Sequence, residues 1–223
     1  MDPGELNEDT FKNLGIDEND MESIFKYIYE NKIWGDNEIE GYLGSSGKGS
    51  KLDYNKDYIS YLRDFILKNK TEVIVDLGCG DFQFGKELYR DLNIIYYGFD
   101  VYENIINYHN NVTKQNTNNI LFFNKLDFYN NRQEIPHGDL CIIKDVFEHW
   151  NYSQTSELLN YLIESKKFKY ILICNCFYQT EDASDAPTGL FRPLSIDNYP
   201  LKDFNLTKVL KYKTKEVYLY VAS

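Results

Sequence analysis

Three short stretches of this 223-residue chain set residues able to do chemistry beside residues that build tight turns. The first is VIVDLGCGDFQFG, Val73 to Gly85, where an apolar run ends in Asp76, turns through Gly78 and Gly80, and opens a helical pattern near Phe84. Glycines at such a turn permit positive φ angles and let a ligand approach the backbone at the carboxyl end of a strand. The second is GFD, Gly98 to Asp100, which closes the next apolar run. An acidic residue about 20 positions beyond the glycines is placed to accept hydrogen bonds from ribose hydroxyls, and Asp100 stands there. The third is DLCIIKDVFEHW, Asp139 to Trp150, in which Lys144, Asp145, Glu148, His149 and Trp150 follow directly on a buried strand pattern. A neutral histidine within reach of a hydroxyl is a natural general base, so His149 is the first candidate and Asp145 the alternative base or orienting partner. His109 and His137 fall on a helix end and a turn and are read as incidental.

Two further segments are expected to shape a substrate site. Trp34 and the string GSSGKGS, Gly44 to Ser50, precede the first strand, and backbone amides of such a loop can bind substrate oxygens. We read this loop as a lid, with Trp34 and Ser46 on the substrate side together with Trp150. The long loop containing DAPTGLFRPLSIDNYP, Asp185 to Pro200, carries Arg192 between Phe191 and Pro193, a cationic and aromatic centre suited to substrate recognition.

The elements that must position these residues follow from periodicity. Residues 1–20 lack it and are expected to form a flexible tail. Residues 21–70 form an N-terminal helical and lid segment, with helices over Met21 to Asn31 and Tyr54 to Lys68. From residue 71 to 223 the strand candidates Val73–Asp76, Ile94–Phe99, Ile120–Phe123, Leu140–Ile143 and Tyr170–Cys174 alternate with helical patterns at Phe84–Leu92, Val101–His109 and Ser153–Ser165. Such alternation predicts a doubly wound α/β fold, with a mostly parallel sheet and helices on both faces. The last two runs, Asn205–Tyr212 and Lys215–Ala222, are separated by Lys213 and Thr214 and predict an antiparallel hairpin, for seven strands in all.

A length of 223 residues suits one such domain. The formal net charge of −11 opposes a surface adapted to long nucleic acid and favours a small-molecule or oligosaccharide acceptor. Cys79, Cys141, Cys174 and Cys176 show no zinc-type pairing and read as reduced core residues. Neither a signal peptide nor a run of about 20 apolar residues is evident, so a cytoplasmic location without membrane association is expected.

A nicotinamide-binding fingerprint would place its third glycine where this chain has Gln83. DLGCGD instead resembles motif I of the class I, Rossmann-like S-adenosylmethionine-dependent methyltransferases, and the resemblance runs from about Glu72 to Cys176. It implies S-adenosyl-L-methionine as cofactor, with its methionine portion along Asp76, Gly78 and Gly80, its ribose on Asp100 and its adenine near Val101 and Asp127. Cys79, Phe82, Phe128 and Lys144 complete the implied cofactor wall. DVFEH, Asp145 to His149, also resembles the cluster with which small-RNA terminal 2′-O-methyltransferases hold magnesium. Those enzymes add a downstream histidine and this chain has none after His149, so a divalent metal is not favoured, although Asp145 and Glu148 offer suitable oxygens. SSGKGS, DLGCGDFQFG, KDVFEHW and FRPL together resemble small sugar O-methyltransferases of bacteria and large viruses, which implies methylation of a sugar hydroxyl on a glycan or nucleotide-sugar. RNA ribose or cap methylation is the alternative, and an inactive cofactor-binding scaffold is the reading from a different class.

Overall fold

Short runs rich in Ile, Val, Leu and Tyr become strands once their alternate side chains can be buried on two faces. The computed structural model describes residues 6–37, 40–113, 119–177 and 184–222. β1 (Val73–Leu77), β2 (Ile94–Asp100), β3 (Asn119–Lys125), β4 (Gly138–Lys144) and β5 (Phe168–Cys176) are parallel to one another. β6 (Thr207–Tyr212) and β7 (Lys215–Val221) form the expected antiparallel hairpin. The seven strands lie in the order β3-β2-β1-β4-β5-β7-β6, with β7 antiparallel to β5. The strand order reverses between β1 and β4, and a crevice opens there at the carboxyl ends, where this architecture receives ligands.

Alternation along the strands sorts the core into two layers. Ile74, Leu140 and Ile142 face one cluster with Tyr58, Leu62 and Phe65 of α3 (Lys56–Asn69), whereas Val75, Leu77, Cys141 and Ile143 face Leu158, Leu159 and Leu162 of α6 (Tyr152–Glu164). Asn151 starts α6 with a capping box, its side chain accepting from Gln154 N while the Gln154 side chain accepts from Asn151 N. α5 (Glu103–Val112) buries Ile105, Ile106 and His109 on the first face.

Two expectations change. The helix predicted over Phe84–Leu92 is a single turn, α4 (Gly85–Leu88), and beyond it the chain bends so that Tyr89 and Leu92 both reach the core. The stretch read as a loose tail is partly tied down, with its residues 1–5 lying outside the described residues. Within it α1 (Thr10–Asn13) buries Phe11 against Ile24 and Ile28 of α2 (Met21–Glu30). α2 buries Met21 and Tyr29 as well as Ile24 and Ile28, and α1 covers the latter pair. No described helix is long and apolar enough to cross a membrane.

Candidate functional site

The turn after β1 is held from four directions. Gly78 N and Cys79 N both donate to Phe99 O, at 2.8 and 2.9 Å, and Gly80 N donates to Asp100 Oδ2 at 3.0 Å. His109 Nε2 donates to Gly80 O at 2.8 Å from α5, and Asp81 N donates to Ser46 Oγ at 2.9 Å in the N-terminal loop. Gly78 and Gly80 have φ of +85° and +52°, and a Cβ would lie 2.4 Å from Val146 Cγ2 at the first and 2.5 Å from Ser46 Oγ at the second. Both positions therefore require glycine for conformation and for space. Phe82 also has a positive φ, of 50°, and its ring packs on Tyr89, Tyr96 and Phe123 in the core, so it anchors the turn as well as lining the site.

This turn forms one wall of a cavity of about 410 Å³ that also touches the ends of β2, β3, β4, β5 and β7. Of the residues singled out from the sequence, Asp76, Gly78, Cys79, Gly80, Phe82, Asp100, Val101, Asp127, Phe128, Lys144, Asp145, His149, Trp34, Ser46 and Trp150 all line it. Arg192 does not. Its guanidinium pairs with Asp185 and stacks 4.1 Å over the Tyr152 ring, because its own backbone N–H is pinned to Glu148 O at 2.9 Å.

The carboxylates are tuned by where they sit. Burial pushes Asp76 up to about 6, against the pull of the Tyr96 hydroxyl that donates to it at 2.7 Å and of the Lys144 charge. Burial also raises Asp100, whose Oδ1 accepts from Tyr102 N at 3.0 Å. Asp127 Oδ1 accepts from Asn130 N at 3.0 Å and closes its own turn, with Phe128 stacked on Trp150 at 5.5 Å beside it. Trp150 also packs edge-on against Tyr129 at 5.5 Å.

His149 lines the same cavity, with its ring 4.7 Å from that of Trp34. Burial pulls His149 down to about 4, with Asp145 opposing and Lys215 reinforcing the shift, so the imidazole is neutral at pH 7. Its Nδ1 is enclosed by protein, which leaves Nε2, 3.8 Å from Glu148 Oε1, to meet a ligand. Asp145 lies between two ammonium groups, 2.7 Å from Lys144 Nζ and 2.5 Å from Lys215 Nζ. Although burial raises it, the two lysines outweigh burial and hold it below the usual carboxylate range, which leaves it a poor base. Glu148 is pushed up to about 7 by burial and by the Asp145 charge, and its Oε2 accepts from Cys176 N. With both Asp145 oxygens engaged by lysines, the residues present do not fit a divalent cation.

Sequence reasoning missed Lys215, Cys176, Asp81 and Tyr29, which also line the cavity, and passed over His109. Lys215 reaches the site only because β7 pairs with the end of β5, Lys215 opposite Cys176. No local pattern marks it. His109 falls on a helix end as expected, but the buried side of that helix faces the β1 turn.

No family model matches the chain, and no curated protein matches it in sequence. Solved structures do match in three dimensions. A magnesium protoporphyrin IX methyltransferase from Synechocystis PCC 6803 with bound SAM aligns with TM-score 0.61 at 14% identity over 92% of this chain and 98% of its own. An O-methyltransferase family protein from Burkholderia thailandensis aligns with TM-score 0.55 at 11% identity over 76% of this chain, which spans 56% of that protein's length. The methyltransferase domain of bacterial CtHen1-C gives 0.52 at 13% identity over 76% of this chain and 98% of its own. The chain has the Rossmann-like methyltransferase fold. In that fold its cavity lies at the carboxyl ends of the central strands, where the glycine turn, Asp100 and His149 meet.

Proposed function

We propose that the chain is an S-adenosylmethionine-dependent O-methyltransferase acting on a sugar hydroxyl of a glycan or nucleotide-sugar. The observation that carries this reading is the convergence, in one cavity, of the Asp76–Gly80 turn, the Asp100 and Asp127 carboxylates, and the His149–Trp34 pair. The residues fit the cofactor. Gly78 and Gly80 give the turn the positive φ and the close packing on Val146 and Ser46 that it needs, and both line the cavity. Asp76, Asp81, Asp100, Asp127, Asp145 and Glu148 outnumber Lys48, Lys144 and Lys215 in the lining, which favours a ligand carrying net positive charge.

When bound, the cofactor supplies an electrophilic methyl group on a positively charged sulfur. Asp76, Gly78, Cys79 and Gly80 would hold its methionine portion, Asp100 its ribose, and Val101, Asp127, Phe128 and Trp150 its adenine. Lys144 screens the buried carboxylates beneath. On the acceptor side Trp34 presents a flat apolar face to a sugar ring, and His149 Nε2 takes the hydroxyl proton as the oxygen attacks. Ser46 ties the N-terminal loop across the turn through Tyr29 Oη at 2.7 Å and Asp81 N at 2.9 Å, which keeps water from the reacting groups. Most of the acceleration is positioning of hydroxyl and methyl in line.

The test is mass spectrometry of acceptors incubated with the protein and isotopically labelled S-adenosylmethionine, over a panel of oligosaccharides, nucleotide-sugars and short RNAs. Labelled methyl on a carbohydrate hydroxyl is the expected result. Label on RNA ribose alone, or on nothing despite cofactor binding, contradicts the acceptor assignment.

A further inference from the structure

The DVFEH stretch resembles a magnesium-holding cluster, yet in the folded protein its carboxylates already have a cation. Lys215 Nζ lies 2.5 Å from Asp145 Oδ1, 4.0 Å from Glu148 Oε1 and 3.3 Å from Cys176 Sγ. The ammonium thus stands between the two acidic groups of the cluster, where a bridging metal would have to lie. Asp145 Oδ2 is taken by Lys144 Nζ, which also donates to Gly49 O at 3.0 Å.

The arrangement is built into the fold. The Lys215 side chain is 2% exposed, and β5–β7 pairing fixes its backbone opposite Cys176. The N-terminal loop passes close over the ion pair, and a Cβ at Gly49 would lie 2.7 Å from Asp145 Oδ2 and 3.2 Å from Lys215 Nζ. A glycine is what admits the pair beneath the loop. Among the described residues no group of three or more His, Cys, Asp and Glu side chains is arranged to hold a metal ion. Divalent magnesium demands several oxygen ligands at about 2.0–2.1 Å in near-octahedral array, which Asp145, bonded to two ammonium groups, and Glu148, bonded to Cys176 N, cannot supply.

We propose that the Lys215 ammonium is the resident cation of the Asp145–Glu148–His149 cluster, taking the place of a divalent metal and holding the turn that carries His149. The inference refines the acceptor side of the site proposed above. Its test is read from metal binding to the unliganded protein, so it fails or stands apart from methyl transfer.

Mn²⁺ is the probe, titrated calorimetrically into the full-length wild-type protein and the Lys215→Ala and Lys215→Arg variants, with S-adenosylhomocysteine affinity as the check on folding. The wild-type and Lys215→Arg proteins should bind no Mn²⁺ at this cluster up to roughly millimolar concentration. Lys215→Ala, by uncovering Asp145 Oδ1 and the facing Glu148 Oε1, should gain about one equivalent. A wild-type protein that binds one Mn²⁺, with binding lost in Asp145→Asn, overturns the inference, and this arm holds even if Lys215→Ala does not fold. A Lys215→Ala protein with unimpaired S-adenosylhomocysteine affinity and no gain of Mn²⁺ binding overturns it as well.

Discussion

Burial keeps His149 neutral at pH 7 and free to accept a proton, but its value of about 4 makes it a weak base whose contribution to the proposed chemistry rests on position. Replacing it with alanine should lower turnover by about 10²–10⁴-fold. S-adenosylhomocysteine affinity should stay within a few-fold, because the Asp76–Gly80 turn, Asp100 and Asp127 assigned to the cofactor are left in place. Steady-state rates and calorimetry on His149→Ala measure the two effects separately, and an unchanged rate rejects the base assignment. Asp76 makes the opposite kind of statement about stability. Its folded-state value of about 6 is raised above the ordinary 3.8, so the stability it contributes is present below about pH 4 and is lost as pH rises through 6. Relative to wild type, Asp76→Asn should therefore gain on the order of 2 kcal/mol between pH 4 and 7, read from urea unfolding at each pH. Asp76 and Asp100 were legible as cavity-lining residues because each closes an apolar strand run, and His149 because it follows the end of β4 by only five residues. Lys215 was not legible, since it meets Asp145 across 70 positions of sequence and only when β7 lies beside β5.

At the level of elements, the parallel core and the closing hairpin could be read from the sequence because buried strands are continuous apolar runs and the Lys213–Thr214 break is short. Strand order across the sheet has no such signature, and it is strand order that brings the hairpin to the acceptor side. Arg192 shows the same limit from the other direction. Its loop looked like a recognition element, but hydrogen bonds from Gly189 N to His149 O and from Arg192 N to Glu148 O tie that loop to the back of the 147–149 turn. The guanidinium is thereby spent on Asp185 and Tyr152. The hairpin's contribution is measurable. Lys215 and Asp145 are a pair with side chains 2% and 19% exposed, and removing Lys215 leaves Asp145 with Lys144 as its remaining cation. Lys215→Ala should cost about 1.5–3 kcal/mol in denaturant unfolding, as the loss of a charged hydrogen bond, and Lys215→Arg much less. Equal losses in both variants would show that packing, and not the charge, is what β7 contributes there.

On the scale of the whole molecule, an acidic chain of net charge −11 encloses a cavity whose lining also carries more carboxylates than lysines. Such a field opposes long nucleic acid and suits a cationic cofactor with a small acceptor. The N-terminal segment, the β1 turn and the carboxyl edge of the sheet close on one another through Ser46, Asp81 and Gly49, so the site exists only when the whole chain is folded. The most direct measurement is calorimetric titration of S-adenosylhomocysteine into the wild-type protein and Asp100→Ala. The account predicts one site per chain, weakened at least about tenfold by loss of the ribose acceptor. Absence of binding to wild type, equal affinity in both proteins, or saturable binding of a nicotinamide dinucleotide in its place would contradict it.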